Sequence, residues 1–191
     1  MEILLAISGA SGVVYGKKLL EFLSKQEDIE VDLIISNAAR ELIQDELDID
    51  VNELGGLARH EFDPDELESP PASGSVIYDA MAIVPCSMSS LSKISAGISD
   101  NLITRSAVVF IKEGRKLLLV PRETPLTTTW LENMSKLSRE GAVILPAMPG
   151  FYTDPKSIDD IVDFIVGKIL DNLRIENSLY ERWKYTELDM A

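Results

Sequence analysis

The chain has 191 residues and is 46% hydrophobic, which suits one compact domain with a full core, or a subunit that buries more on assembly. Its formal net charge of -14 argues against nucleic acid or a membrane surface as partner, because both demand a basic face. The lone Cys86 excludes an internal disulfide and fits a reducing, cytoplasmic setting; no apolar run is long enough to cross a bilayer, and the N-terminus lacks the basic region of a secretory signal.

Residues 2–7 are short and apolar and predict a buried strand, after which Ser11 or Gly12 starts a helix with Val13, Val14, Leu19, Leu20 and Leu23 on its inner side. Residues 31–35 predict a second strand and 37–47 a helix with Ala38, Leu42 and Ile43 on one side. The acidic stretch 48–73 holds Gly55-Gly56 and Pro70-Pro71 and predicts a loop with one short strand near 60–62. A third buried strand covers 81–84 and stops at Pro85; helices follow at 87–98 and 101–111. Residues 116–120 predict a fourth strand, again stopped by proline, and 142–145 a fifth. Between them, 127–139 predicts a helix with Leu131, Met134 and Leu137 on one face and Gly141 at its end. Ser157, with Asp160 three residues on, caps a last long helix whose Ile158, Ile161, Val162, Ile165, Ile169 and Leu173 form an apolar stripe. Alternating strands and helices predict the α/β class: a doubly wound parallel sheet, Rossmann-like or flavodoxin-like, in three layers α/β/α. Residues 1–175 read as a single domain, and 176–191 as a C-terminal tail holding Tyr180, Trp183 and Tyr185.

In such a sheet ligands bind along the edge where strands give way to helices. Three loops there carry chemistry. Ser8 to Gly12 lacks the G-x-G-x-x-G spacing of a dinucleotide site. Its glycines still let backbone N–H groups approach a phosphate, and a helix start adds its positive dipole end; the same residues equally suit a tight turn with a capping serine. Ser87, Met88, Ser89 and Ser90 offer a second anion cradle, or plain N-caps. Arg122 and Glu123 stand between Pro121 and Pro125: the arginine suits a two-pronged grip on phosphate and the glutamate a proton transfer, or the two form a pair that holds the loop. Charge is also uneven. Residues 45–68 are acidic with Arg59 as the one arginine, whereas Arg105, Lys112, Arg115, Lys116 and Arg122 face only Glu113. That basic segment suits a small anion, with Arg115 and Lys116 read as solvating a turn. Cys86 reads as a small buried hydrophobe. His60, the only histidine, sits among acids, which leaves no Ser-His-Asp triad and no zinc site of His/Cys type. Glu46 alone reads as a surface residue.

As an ordered set these segments resemble the UbiX-type flavin prenyltransferases, within the flavoprotein group that also contains the cysteine decarboxylases. The likeness runs through Gly9-Ala10-Ser11-Gly12, Pro71-Ala72-Ser73-Gly74-Ser75, Pro85-Cys86-Ser87-Met88, Asp100-Asn101-Leu102 with Arg105, and Lys112-Glu113. It continues through Pro121-Arg122-Glu123-Thr124-Pro125, Leu131-Glu132-Asn133-Met134, Gly141-Ala142, Pro149-Gly150-Phe151-Tyr152 and Arg182-Trp183. The resemblance implies non-covalent FMN, used reduced as acceptor of a dimethylallyl group from dimethylallyl phosphate at N5 and C6, with no metal. It implies that the prenylated FMN passes to a UbiD-type decarboxylase and that the subunits form a homododecamer with sites at subunit contacts. By motif, Gly9, Ala10, Ser11, Ser36, Ser87, Met88, Ser89, Ser90 and Arg105 match flavin contacts. Lys112, Arg122, Tyr152 and Lys168 match the group that grips the allylic phosphate, and Trp183 an aromatic near the prenyl pocket. Glu123 and Glu46 match catalytic acids, with Ser11 and Lys112 also expected to take part in catalysis. Lys168 departs from the pattern, because arginine is commoner there; it keeps the charge and loses the bidentate fork. The cysteine decarboxylases carry a catalytic histidine on an early helix, which this chain lacks. A non-catalytic flavin carrier would need the cradles without Lys112, Arg122 and Glu123.

Overall fold

A computed structural model describes residues 1–183. The chain divides into two compact units between Ala147 and Met148; the expected tail falls in the second, and its residues 184–191 lie outside the described residues.

The first unit is built on six parallel strands, β1 (Glu2–Ile7), β2 (Glu30–Ile35), β3 (His60–Phe62), β4 (Ala80–Cys86), β5 (Lys116–Pro121) and β6 (Val143–Ile144), in the order β3-β2-β1-β4-β5-β6. Without the three-residue β3 at the margin, the remaining order is that of a flavodoxin-like sheet; β3 extends it to the Rossmann order, so both halves of the predicted class are present. The helices of this unit are α1 (Val13–Leu23), α2 (Asn37–Leu47), α3 (Val51–Gly55), α4 (Met88–Ser95), α5 (Leu102–Lys112) and α6 (Thr128–Arg139).

Near-continuous apolar strands mean that both faces are covered. Leu4, Ala6, Met81, Ile83, Leu117 and Leu119 point to one face, where Leu91 and Ile94 of α4, Ala107 and Phe110 of α5, and Met134 and Leu137 of α6 bury them. Each of these side chains larger than alanine contributes about 1.5–3 kcal/mol on leaving water. On the other face α1 meets β1, β2 and β4 through Val13, Leu19, Leu20 and Leu23. Gly16 sets that approach: a Cβ there would lie 2.3 Å from the Val84 carbonyl oxygen.

Several expectations shift. The third predicted strand runs on through Pro85 to Cys86, with a register shift after Ile83 that absorbs the missing proline N–H. Within the acidic stretch, Asp50 caps the short helix α3 by accepting the Asn52 N–H, which composition alone hid. In α2 the buried residues are Ala39 and Ile43, while Ala38 is exposed and packs against Gly9. Leu131, predicted to share an inner face, is 51% exposed, and Ile158, at the first position of its helix, is 78% exposed. Arg115 does more than solvate a turn: it donates to the Val76 and Gly74 carbonyls at 2.7 and 2.6 Å and holds that loop. Cys86 is fully buried, which pushes its thiol up to about 12 and keeps it protonated.

In the second unit, α7 (Ile158–Leu173) starts as predicted. Ser157 Oγ accepts the Asp160 N–H at 3.1 Å and Asp160 accepts the Ser157 N–H at 2.9 Å. Among the described residues no helix is long and apolar enough to cross a membrane.

Candidate functional site

The order of the strands reverses between β1 and β4, the switch point at whose carboxyl edge open α/β sheets take ligands. Ser8, 1% exposed, stands at the end of β1 and locks together the two loops that leave this point. Its N–H and its hydroxyl donate to the Pro85 carbonyl at 3.2 and 3.0 Å, and its Oγ accepts the Ser87 N–H at 2.8 Å.

From that lock the first loop turns. Gly9 is side-chain-free by necessity, since a Cβ would lie 2.6 Å from the Ala38 Cβ on α2. Ala10 is buried and Ser11 exposed, so the loop presents the hydroxyl of Ser11 at its rim. Gly12 caps α1 at φ 96°, a left-handed conformation that favours glycine, and its N–H donates to Glu46 Oε2 at 2.9 Å. Thus Glu46, from the last turn of α2, reaches the same turn as Ser11. Ser36 caps α2 by accepting the Ala39 N–H at 3.2 Å. In the second loop, Ser87 caps α4 by accepting the Ser90 N–H at 3.1 Å and donates to Ser90 Oγ at 3.0 Å. The N–H groups of Met88 and Ser89, in the first turn, have no partner inside the helix. The Met88 side chain is buried in the core, so this residue offers the edge its backbone only. Three helix N-termini, those of α1, α2 and α4, therefore gather at one edge, where their dipoles favour an anion.

The third loop joins them. Arg122, half-buried just past β5, donates Nε to the Ser11 carbonyl at 3.0 Å and pairs with no carboxylate among the described residues. Tyr15 packs its ring beside Gly12; burial raises its hydroxyl pKa, and the Arg122 charge opposes that rise. Glu123 is half-buried, and its Oε1 accepts the Thr124 N–H at 3.0 Å.

Two predicted residues of the first unit stay outside this gathering in the single chain. Arg105, one turn into α5, donates Nε to the Ala72 carbonyl at 3.0 Å. Lys112 ends α5 and pairs with Glu113 at 3.1 Å, close in sequence to where β5 begins, which is the end of the sheet opposite the carboxyl edge. In the second unit, Tyr152 meets Trp183 edge-on at 5.3 Å between centroids and Phe164 at 5.9 Å. Lys168 lies 5.8 Å from the centre of the Tyr180 ring and 3.9 Å from Asp171 Oδ2. Sequence reasoning placed Ser8 in the first loop without giving it a role of its own, and left Tyr15 out. Ser8 carried one signal, its place between an apolar strand and a glycine turn; Tyr15 carried none, because it reads as the outer side of a helix.

Residues 1–170 match the Flavoprotein family model. Flavin prenyltransferase UbiX of Methanocaldococcus jannaschii is 50% identical over 183 residues, covering 96% of this chain and 98% of that protein. The crystal structure of a dodecameric FMN-dependent UbiX-like decarboxylase from Escherichia coli O157:H7 is 40% identical, with a TM-score of 0.95 over 96% of this chain and 100% of that one. That of AnUbiX (PadA1) in complex with FMN and dimethylallyl pyrophosphate is 38% identical, with a TM-score of 0.92 over 97% of this chain and 98% of that one. Edge, cradle and likeness agree along nearly the whole chain, and it belongs to the Flavoprotein family and, within it, to the UbiX-type flavin prenyltransferases.

Proposed function

We propose that this protein transfers a dimethylallyl group from an allylic phosphate to N5 and C6 of reduced FMN, and that the prenylated flavin serves a UbiD-type decarboxylase. The observation that carries the reading is the Ser8-locked pair of loops at the switch point with Arg122 tied onto them. One edge thereby holds two anion cradles and a cation that pairs with no carboxylate among the described residues.

The residues fit a flavin phosphate. Gly9 keeps the first loop low against Ala38, and the first N–H groups of α4 face the same edge. Gly9, Ala10, Ser11, Ser36 and the turn from Ser87 to Ser90 would hold FMN there. Reduced FMN, when bound, supplies the nucleophilic ring. Arg122 takes up the charge that grows on the departing phosphate, and fixed cations of this kind act most strongly where water is excluded. In the assembled protein Tyr152, Lys168 and Trp183 are the further donor contacts that the resemblance implies, with Trp183 offering a π-face to a cationic allyl group. Closing the ring needs a proton delivered to the dimethylallyl double bond and another taken from C6: Glu46, held by the Gly12 N–H, would deliver the first, and Glu123, anchored through Thr124, would accept the second. Lys112 and Arg105 are supplied by a neighbouring copy in a homododecamer. Two facts support this: Lys112 ends at the opposite edge of its own sheet, and the Escherichia coli relative is dodecameric.

A structure determined with reduced FMN and dimethylallyl phosphate tests the assignment. The expected result is flavin phosphate on the Gly9–Gly12 and Ser87–Ser90 turns, with the donor phosphate on Arg122 and on Lys112 of another copy. Flavin bound elsewhere, or a donor phosphate remote from Arg122, would overturn it.

A further inference from the structure

The second unit contains a carboxylate that the proposed chemistry does not use. Asp171, in the last turn of α7, gathers four donors from the segment that follows the helix and from the helix itself. Arg182 embraces it with both terminal nitrogens, at 2.7 Å to Oδ1 and 3.2 Å to Oδ2. The Tyr180 hydroxyl donates to Oδ2 at 2.5 Å and Asn177 Nδ2 to Oδ1 at 3.0 Å, while Lys168 stands 3.9 Å away. Charge-assisted, two-pronged contacts of this type are the directional ones. Burial is the largest single influence on Asp171 and raises its pKa, yet Arg182, Tyr180 and Asn177 together hold its carboxyl below the usual range.

The same contacts position an aromatic row. Tyr180 lies close against α7 because residue 167 is glycine: a Cβ there would come within 2.4 Å of the ring. Its ring meets Phe164 at 5.1 Å, Phe164 meets Tyr152 at 5.9 Å, and Tyr152 meets Trp183 at 5.3 Å. Arg182 and Lys168 flank the Tyr180 ring at 5.5 and 5.8 Å. Trp183 is itself 73% exposed, so its own packing restrains it little. Its neighbour Arg182, clasped by Asp171, sets where it stands.

We infer that Asp171 is a positioning residue for the allylic donor: its carboxylate latches the segment 177–183 onto α7, and so fixes Trp183 on Tyr152 and restrains the Lys168 ammonium. The inference rests on the proposed reading of Tyr152, Lys168 and Trp183 as donor contacts. Asp171 touches neither flavin nor donor; it acts through Arg182 and Lys168. The carboxylate must stay ionised for this, and an amide in its place keeps the shape while removing the charge that Arg182 and Lys168 answer.

The test compares Asp171→Asn, Asp171→Glu, Arg182→Ala and the double variant Asp171→Asn/Arg182→Ala with the wild-type full chain. Asp171→Asn should raise the KM for dimethylallyl phosphate about tenfold with a smaller change in kcat, and leave FMN affinity unchanged. Arg182→Ala, a change at an exposed side chain that does not threaten the fold, should do the same. The double variant should be no worse than either single one, because the two act as a unit. Asp171→Glu should recover most of the loss. Trypsin should cut after Arg182 several-fold faster in Asp171→Asn, since the guanidinium is no longer clasped. A wild-type KM and cleavage rate in Asp171→Asn, or losses that add in the double variant, would overturn the inference. If the wild-type chain prenylates no flavin, the donor reading falls and takes the positioning role with it. The cleavage rates then still report whether Asp171 latches the segment.

Discussion

Two arginines, at two margins of the same sheet, do opposite things. At the outer margin, Arg59 is surrounded by carboxylates: it donates to both oxygens of Asp32, at 2.9 and 2.8 Å, to Glu2 at 3.0 Å and to Glu30. Asp32 is 2% exposed and also accepts from the Tyr78 hydroxyl at 2.7 Å, with His60 Nδ1 at 3.1 Å. Burial, the strongest influence on Asp32, raises its pKa, but Arg59, Tyr78 and His60 together bring it below the ordinary carboxylate range. At the carboxyl edge, Arg122 touches a backbone carbonyl and no carboxylate among the described residues. Both arginines sit in an acidic protein, so the contrast is one of placement. The first cluster satisfies itself and fastens β2 and β3; the second keeps positive charge available where two anion cradles open. A charge cluster marks a ligand site when its charge is not already answered within the chain.

Changes at these two margins should therefore fail in different ways. The largest effect is expected from Glu123→Gln, which should lower turnover roughly a thousandfold while FMN still binds, as loss of a proton-handling group does. Stopped-flow or end-point flavin analysis reads this directly, and near wild-type rates would remove Glu123 from the chemistry. Next comes Asp32→Asn, which strands part of Arg59 and should cost about 3 kcal/mol of stability in urea denaturation without altering the rate per folded molecule. Its pH signature follows from the lowered pKa of Asp32. The carboxylate binds its proton more weakly folded than unfolded, so its stabilising contribution is complete above the ordinary carboxylate pKa. It is lost as pH falls below the ordinary carboxylate pKa and through the lower folded one. The variant should lack that acid-side slope; a retained slope would assign it to other carboxylates. The smallest effect is expected from Ser8→Ala, which leaves the Ser87 N–H without its partner. A cost of about 1–2 kcal/mol, with FMN affinity weakened by tenfold or less, would mark Ser8 as the lock between the loops. Equal FMN affinity would make Ser8 a fold residue only.

Much of this was legible beforehand for physical reasons. Strands buried on both faces read as unbroken apolar runs, so β1, β2 and β5 stand within a residue of their predicted bounds. Capping residues carry local chemistry that survives without tertiary context, which is why Ser157, Asn101 and Ser87 all cap the predicted helices. What was hidden depends on contacts far apart in the chain. The passage of β4 through Pro85 needs a neighbour that accommodates a bulge. The role of Ser8 needs Pro85 and Ser87, more than seventy residues away. Arg115 looked like a turn residue because its carbonyl partners belong to a loop near Gly74. Glu46, which its sequence setting alone placed in solvent and only the resemblance singled out, reaches the first loop through a hydrogen bond from the Gly12 N–H. Leu131 kept helical spacing yet stays exposed, since periodicity cannot tell which side of a helix faces the sheet.

The claim on which the rest depends is that the cations and cradles of one sheet edge let an allylic phosphate ionise beside a bound flavin. The most direct measurement is the mass of the flavin recovered after the full-length protein is incubated, without oxygen, with reduced FMN and dimethylallyl phosphate. The expected result is a flavin heavier by one isoprenyl unit in the wild-type reaction, with much less of it formed by Arg122→Leu although FMN remains bound. Unmodified flavin from a folded, FMN-loaded wild-type protein would contradict it.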